Sequence, residues 1–330
     1  MARVLESLAY AFFWLFSRLV RALPLERALA LGAGVGRLIL FGVGRRRRLV
    51  LENLRLSFPE KTESERRAIA RRSVENLGRT LVEVLRLPDF TEEDARHRIR
   101  VEGLDTAAWL RKNGKGALAL SAHFGNFEYI AVGLNRLGIF RCHLIGRPIR
   151  NRGIDRAIRS CRAAHGVETI PNRRSVPAIL DKLRRGEGIG VVLDQNMKRS
   201  MGIFVDFFGR PASTTPGLAV LAHRSGAPVV PVFAVRESAW RPGGDPANHV
   251  ISIGRPIPWE ARGDLQEALR VNTQAYTRVI EDWVRRFPDQ WFWLHDRWRT
   301  KPREKGRPED DRGQEGPLPL PEAVGEKAAP

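Results

Sequence analysis

The chain has 330 residues, a formal charge of +19 and two cysteines, Cys142 and Cys161. That length holds a full core in one large domain or two, and so few cysteines exclude a disulfide framework or a cysteine-rich zinc site. The basic excess, mostly arginine, points to phosphate-bearing partners: nucleic acid, anionic lipid, or a phosphorylated substrate or carrier.

Residues 1–44 are unusually apolar. Leu8–Phe16 is too short for a spanning helix of about 20 residues, and extending it brings in Arg18. Pro24 interrupts, and a second apolar stretch, 28–44, is broken by Arg37. Arg18 and Arg21 follow the first run where a signal peptide would carry a small-residue cleavage site. The segment reads as one or two helices embedded in the membrane surface, as one marginal span, or as a buried helical hairpin with a basic turn. The run Arg45–Arg48 is the kind that flanks membrane segments on the cytoplasmic side and attracts anionic headgroups. Gly32, Gly34 and Gly36 are not a dinucleotide fingerprint, because Arg37 takes the third glycine position and no strand precedes them. Close helix packing or a loose membrane helix accounts for them.

Thr62-Glu-Ser-Glu65 is a capping box. It predicts a helix to about Leu85 that packs on the following domain and carries no chemistry. From Val101 onward, strand candidates at 117–121, 142–146, 189–193, 229–235 and 250–253 alternate with helices near 126–137, 153–164, 177–185 and 216–225. That alternation predicts an α/β domain with a mixed or mostly parallel central sheet flanked by helices, preceded by the N-terminal membrane-associated helices. The prolines of Ala227-Pro-Val-Val-Pro-Val232 place that strand at the sheet edge. Asp264-Leu-Gln-Glu267 is a second capping box and opens a helix to Phe287. Trp291, Trp293 and Trp298 fit core, or else a membrane-interface belt. Residues 301–330 read as a disordered tail. The expected division is therefore 1–48 as a membrane-anchoring segment with its basic flank, 49–300 as the α/β domain, and 301–330 as tail.

The chemistry centres on Ser121-Ala-His123-Phe-Gly-Asn-Phe-Glu128. Residues five apart on a helix point about 140° away from each other. His123 and Glu128 meet only if His123 precedes the helix, on a strand-to-helix turn at the carboxyl end of a strand, where open α/β sheets place ligands. Gly125 allows close backbone approach, and Asn126 is a helix cap. A histidine backed by a carboxylate is a general-base arrangement; a turn histidine with a solvated Glu128 has the same spacing. Arg147, in Gly146-Arg-Pro148, is placed to hold a phosphate or carboxylate. Asp194 and Gln195 end another strand, where such a pair bonds sugar hydroxyls or positions a basic side chain.

His123-Phe-Gly-Asn-Phe-Glu128 resembles the His-x4-Asp/Glu block of the glycerolipid acyltransferase superfamily, and most of all its bacterial lipid A late-acyltransferase branch. Phe127 stands where that branch usually has tryptophan. Later blocks resemble the branch in order: Gly146-Arg-Pro148 with Asn151, Asp155, Arg159 and Gly166; Asp194-Gln195; Phe207-Phe-Gly209; Pro228-Val-Val-Pro231; and Pro288 to Trp298. Together they cover about residues 50–300.

The resemblance implies a membrane-bound O-acyltransferase at the cytoplasmic face of the inner membrane. No bound cofactor or metal is expected. The donor is a thioester, acyl carrier protein (acyl-ACP) or coenzyme A (acyl-CoA), and the acceptor is a hydroxyl of a lipid A precursor or related glycolipid. His123 is the base and Glu128 orients it. Gly125, Asn126, Arg147, Asp194 and Gln195 contact the acceptor or substrate, with Asn126, backbone N–H groups or a basic side chain as candidate oxyanion donors. A lysophospholipid, an ornithine-type lipid or a glycosylated inositol lipid remains open as acceptor. A non-catalytic membrane or nucleic-acid-binding protein is the reading from another class. Nucleic acid is not expected as a partner, since no aromatic-basic stacking motif appears.

Overall fold

The computed structural model describes residues 2–172 and 175–303. Most of the expected tail, 301–330, lies outside the described residues. Three helices open the chain: α1 (Ala2–Ala22), α2 (Leu25–Gly42) and α3 (Gly44–Ser57). The Thr62 capping box forms as read, with side chain and backbone bonds in both directions, and starts α4 (Glu63–Leu85). Then follow α5 (Glu92–Arg98), β1 (Ile99–Glu102), α6 (Leu104–Lys112), β2 (Ala117–Ser121), α7 (Phe127–Arg136), β3 (Cys142–Gly146), α8 (Arg152–Ala163), β4 (Thr169–Pro171), α9 (Val176–Arg184) and β5 (Gly188–Val192). The chain continues through β6 (Ile203–Phe207), β7 (Arg210–Thr214), α10 (Gly217–Ser225), β8 (Val229–Arg236), α11 (Glu237–Trp240), β9 (His249–Ile253) and α12 (Leu265–Arg286).

A seven-stranded sheet runs β1-β9-β8-β2-β5-β3-β4, and β6 and β7 form a separate hairpin. All neighbours in the large sheet are parallel except β8 and β9. The sheet is thus mostly parallel with helices between its strands, as the alternation predicts. β2 and β8 are buried along their whole length, as near-continuous apolar strands of a covered parallel sheet should be. The carboxyl ends of β2, β5 and β3 lie side by side, which brings the segments after Ser121, Val192 and Gly146 to one edge.

The proline-bearing strand is not at the sheet edge. β8 lies between β9 and β2. The Pro231 carbonyl accepts from Gly254 N–H, so the proline's missing N–H faces the β9 side, where the ladder begins only at Val232. A proline is tolerated inside a sheet where no ladder bond is demanded of it. The second capping box is half formed: the Asp264 side chain accepts from Glu267 N–H, but the Glu267 carboxylate turns to Arg270. Trp291, Trp293 and Trp298 are core residues, packed among Phe58, Phe207 and Phe208.

Among the described residues, no single helix is long and apolar enough to cross a membrane. The glycines of α2 serve close helix packing. An added Cβ on Gly36 would lie 1.9 Å from the Val74 carbonyl oxygen of α4, and one on Gly32 would lie 2.5 Å from that of Gly78. The backbones touch because neither helix has a side chain there. Gly36→Leu should therefore force α2 off α4 and lower the melting temperature, since overpacking costs about 1–3 kcal/mol. Gly34→Leu, where a Cβ meets nothing within 4 Å, should melt like wild type. Equal melting of the two variants in thermal denaturation would contradict this packing.

Candidate active site

β2 ends at Ser121 and α7 begins at Phe127, so His123 sits on the strand-to-helix turn, as the five-residue spacing requires. Gly125 makes the turn: its φ is +53°, and a Cβ there would lie 1.8 Å from the Ala234 carbonyl oxygen of β8. The turn is also bolted to the C-terminal segment. Gly125 N–H donates to Gln290 O at 2.8 Å, and Phe292 N–H donates to His123 O at 3.1 Å.

The carboxylate on His123 is that of Asp194. Its Oδ1 lies 2.9 Å from His123 Nδ1, and its Oδ2 accepts from the His123 backbone N–H at 3.0 Å and from the Trp291 indole N–H at 2.8 Å. Parallel pairing of β2 with β5 delivers it, because Leu193 N–H donates to Ser121 O and fixes the two strand ends in register. Gln195 follows, with its amide nitrogen 3.3 Å from His123 Nε2. The contacts favour one tautomer. Nδ1–H donates to Asp194, and the Nε2 lone pair faces Gln195 and the open edge. Phe127 and Phe292 flank the ring, with centroids 5.1 Å and 6.2 Å away.

Two expectations are corrected. Glu128 was expected to orient His123, but its buried carboxylate is taken by Arg162 of α8, which donates through Nε at 2.9 Å and through Nη2. Glu128 lies in the first turn of α7 and faces α8, while the neighbouring strand fills the position beside the ring. Asn126 was expected to meet substrate, but it is 0% exposed. Its Oδ1 caps α7 by accepting from Tyr129 N–H, and its amide donates to Glu83, so neither group is left for an oxyanion. Of the alternatives for Asp194, the contacts favour positioning a basic side chain over bonding sugar hydroxyls. Arg147 sits beyond β3 at the same sheet edge, exposed and, among the described residues, without an ion pair or hydrogen bond. Trp291, Phe292 and Arg162 were not read from the sequence as site residues. A cavity of about 480 Å³ lies at the opposite, amino ends of β2 and β8, beside Lys115 and Pro228, and takes no part in this site.

Burial opposes charge on both members of the pair, yet each favours the charged form of the other. Burial pushes Asp194 up, but the His123 charge and the hydrogen bonds from His123 and Trp291 bring it down to about 2. Burial pushes His123 down, and the Asp194 charge and hydrogen bond outweigh it, leaving His123 above its ordinary 6.5. The Asp194 contribution to stability is therefore present above 3.8 and lost as pH falls towards about 2. That of His123 is complete below 6.5 and lost as pH rises through its higher folded value.

A histidine held by a buried carboxylate at the carboxyl edge of a mostly parallel sheet is an arrangement suited to general-base chemistry. The profile of the family described as bacterial lipid A biosynthesis acyltransferase matches residues 2–300. The lipid A biosynthesis lauroyltransferase of Escherichia coli K12 is 28% identical over 288 residues, 86% of this chain and 89% of that protein. A lipid A biosynthesis acyltransferase of Haemophilus influenzae is 26% identical over 306 residues, 90% of this chain and 93% of its own. Among solved structures, the 1-acyl-sn-glycerophosphate acyltransferase PlsC of Thermotoga maritima aligns over 72% of this chain and 97% of its own, at 15% identity and a TM-score of 0.32. The protein is an acyltransferase. It belongs to the bacterial lipid A biosynthesis acyltransferase family.

A histidine base must be neutral to accept a proton, so the raised pKa of His123 predicts a pH dependence for the reaction. The rate should rise with pH through a midpoint above 6.5. Asp194→Asn should move that midpoint down and cut the rate by about 10²- to 10⁴-fold, as loss of general-base catalysis does. A pH–rate profile of kcat/KM checks this; an unmoved midpoint in the variant would remove Asp194 from the pair.

Proposed function

We propose that this acyltransferase moves a fatty acyl chain from a thioester donor, acyl-ACP or acyl-CoA, to a hydroxyl of a lipid A precursor or related glycolipid. It works at the cytoplasmic face of the inner membrane. The observation that carries the mechanism is the His123–Asp194 pair. His123 Nε2 takes the acceptor's hydroxyl proton as the oxygen attacks the thioester carbonyl. The tetrahedral intermediate then collapses, the C–S bond breaks, and the thiolate leaves with the proton that His123 returns. Asp194 holds the tautomer and stabilises the imidazolium. Gln195 marks the place the hydroxyl takes. Glu128, fixed by Arg162, adds negative charge near the ring, which also favours the imidazolium. Arg147, exposed at the same edge, binds acceptor phosphate.

Membrane binding is supported by the outer face of α1. Leu8, Phe12, Leu15 and Leu19 recur at helical spacing and are exposed, Phe12 at 70% and Leu15 at 60%. The opposite face packs Phe13, Phe16 and Val20 against α2 and α4. Leu38 and Phe41, at the far end of α2, are exposed just before Arg45–Arg48. This amphipathic pattern beside a basic run is that of a helix lying in the interface. On this reading residues 1–48 hold the membrane without spanning it, and 49–300 form the catalytic domain.

Phe12→Glu/Leu15→Glu should release the protein from anionic vesicles without loss of fold, because both side chains point away from the core. Co-sedimentation equal to wild type at high salt would contradict the anchor. His123→Ala should lose about 10²- to 10⁴-fold in acyl transfer to a lipid A precursor. Near-wild-type transfer in that variant would end the proposal.

A further inference from the structure

The N-terminal helix α4 carries a row of buried polar residues that its core-packing role does not require. Asn76, Thr80 and Glu83 share one face at helical spacing and are all nearly inaccessible. Each reaches the catalytic machinery. Asn76 Nδ2 donates to Asp289 O at 3.0 Å, just ahead of Trp291. Thr80 Oγ1 donates to Gly125 O at 3.2 Å, on the catalytic turn itself. Glu83 Oε2 accepts from Asn126 Nδ2 at 2.8 Å, and both its oxygens accept from Arg236 at the end of β8, at 2.7 Å and 2.9 Å. The Arg236 backbone N–H leads back to the Gln290 side chain, whose backbone oxygen holds Gly125.

We infer that Glu83 is a positioning residue for the reaction, acting through Asn126 on the turn that presents His123; this rests on His123 being the base. The argument is one of donors and acceptors. A carboxylate can only accept, so Asn126 must turn its NH2 to Glu83 and its oxygen to Tyr129 N–H. That orientation caps α7 and locks residues 123–126 between the strand and the helix. An amide at position 83 accepts or donates equally well, so Asn126 would be free to flip and drop its cap. A buried ion pair is weak grounds for stability, since packed apolar residues often replace it at no cost. Fixing the geometry of a site is a use that apolar residues cannot serve.

The test compares Glu83→Gln, Asn126→Asp and the double variant Glu83→Gln/Asn126→Asp. The double variant reverses donor and acceptor between positions 83 and 126, keeps one negative charge in the cluster, and leaves an oxygen to cap Tyr129 N–H. Two readouts are taken on folded protein, checked by circular dichroism: acyl transfer kinetics, and the ring 15N shifts of His123 without substrate. Glu83→Gln should lower kcat by about tenfold to a hundredfold, the scale of a small misplacement of a catalytic group, with KM nearly unchanged. Its His123 shifts should move away from wild type. The double variant should recover at least tenfold in kcat and return the shifts. Unmoved His123 shifts in Glu83→Gln, or a double variant no better than its worse parent, would overturn the inference. The shift readout also separates the two proposals. If wild type transfers no acyl group, the functional reading fails, while the shifts still decide whether Glu83 positions His123.

Discussion

The site depends on one buried carboxylate. Asp194 is almost wholly removed from water, and an isolated charge there would cost several kcal/mol. Three donors keep it ionised: the His123 ring, the His123 backbone and the Trp291 indole. The donors and the carboxylate come from three separate segments of the chain. The ring and backbone come from the turn after β2, Asp194 from the end of β5, and Trp291 from the segment after α12. If any of these moves, a buried charge loses a partner, so the electrostatics penalise every arrangement except the assembled site.

This constraint explains why so much structure converges on six residues of chain. The Gly125 turn lies close against the Ala234 carbonyl of β8 and is held by Gln290 and Phe292 from the C-terminal segment and by Thr80 from α4. Arg297, buried in the same segment, donates to Ser213 O and Thr214 Oγ1 and ties the Trp-rich stretch to the end of β7. The N-terminal helices are not an appendage. α2 rests on α4 through backbone contact at glycines, and α4 rests on the turn that carries His123. Removing residues 1–44 would therefore expose the α4 face as well as delete the exposed apolar face of α1.

Local signals in the sequence were good guides where the physics is local. Apolar runs located β2 and β3 to the residue, and the Thr62 capping box located α4, because strand burial and helix capping depend on near neighbours. The short β1 and β4 escaped, having little apolar run to mark them, and so did the β6–β7 hairpin, whose Phe207-Phe-Gly209 stood out only as a block of the resemblance. The site was legible in its parts: His123, Asp194 and Gln195 were all singled out, and Arg147 follows the end of β3 at the same sheet edge. What could not be read was the pairing. Spacing suggested Glu128 for His123, but His123 and Asp194 meet across 71 residues because β5 is the neighbour of β2. Strand order is a property of the whole sheet. The same reason hid Arg162 as the partner of Glu128, and hid Glu83 in a helix that looked purely structural.

The central claim is that Asp194, rather than Glu128, is the hydrogen-bond partner that sets the tautomer of His123 and the larger cause of its raised pKa. The direct measurement is 15N NMR of histidine-labelled protein, with His123 assigned by its loss in His123→Gln. The account predicts a neutral ring protonated at Nδ1, a titration midpoint above 6.5, and loss of both features in Asp194→Asn, with the Nδ1 tautomer kept in Glu128→Gln. An Nε2-protonated ring in wild type, or spectra that change in Glu128→Gln and not in Asp194→Asn, would contradict it.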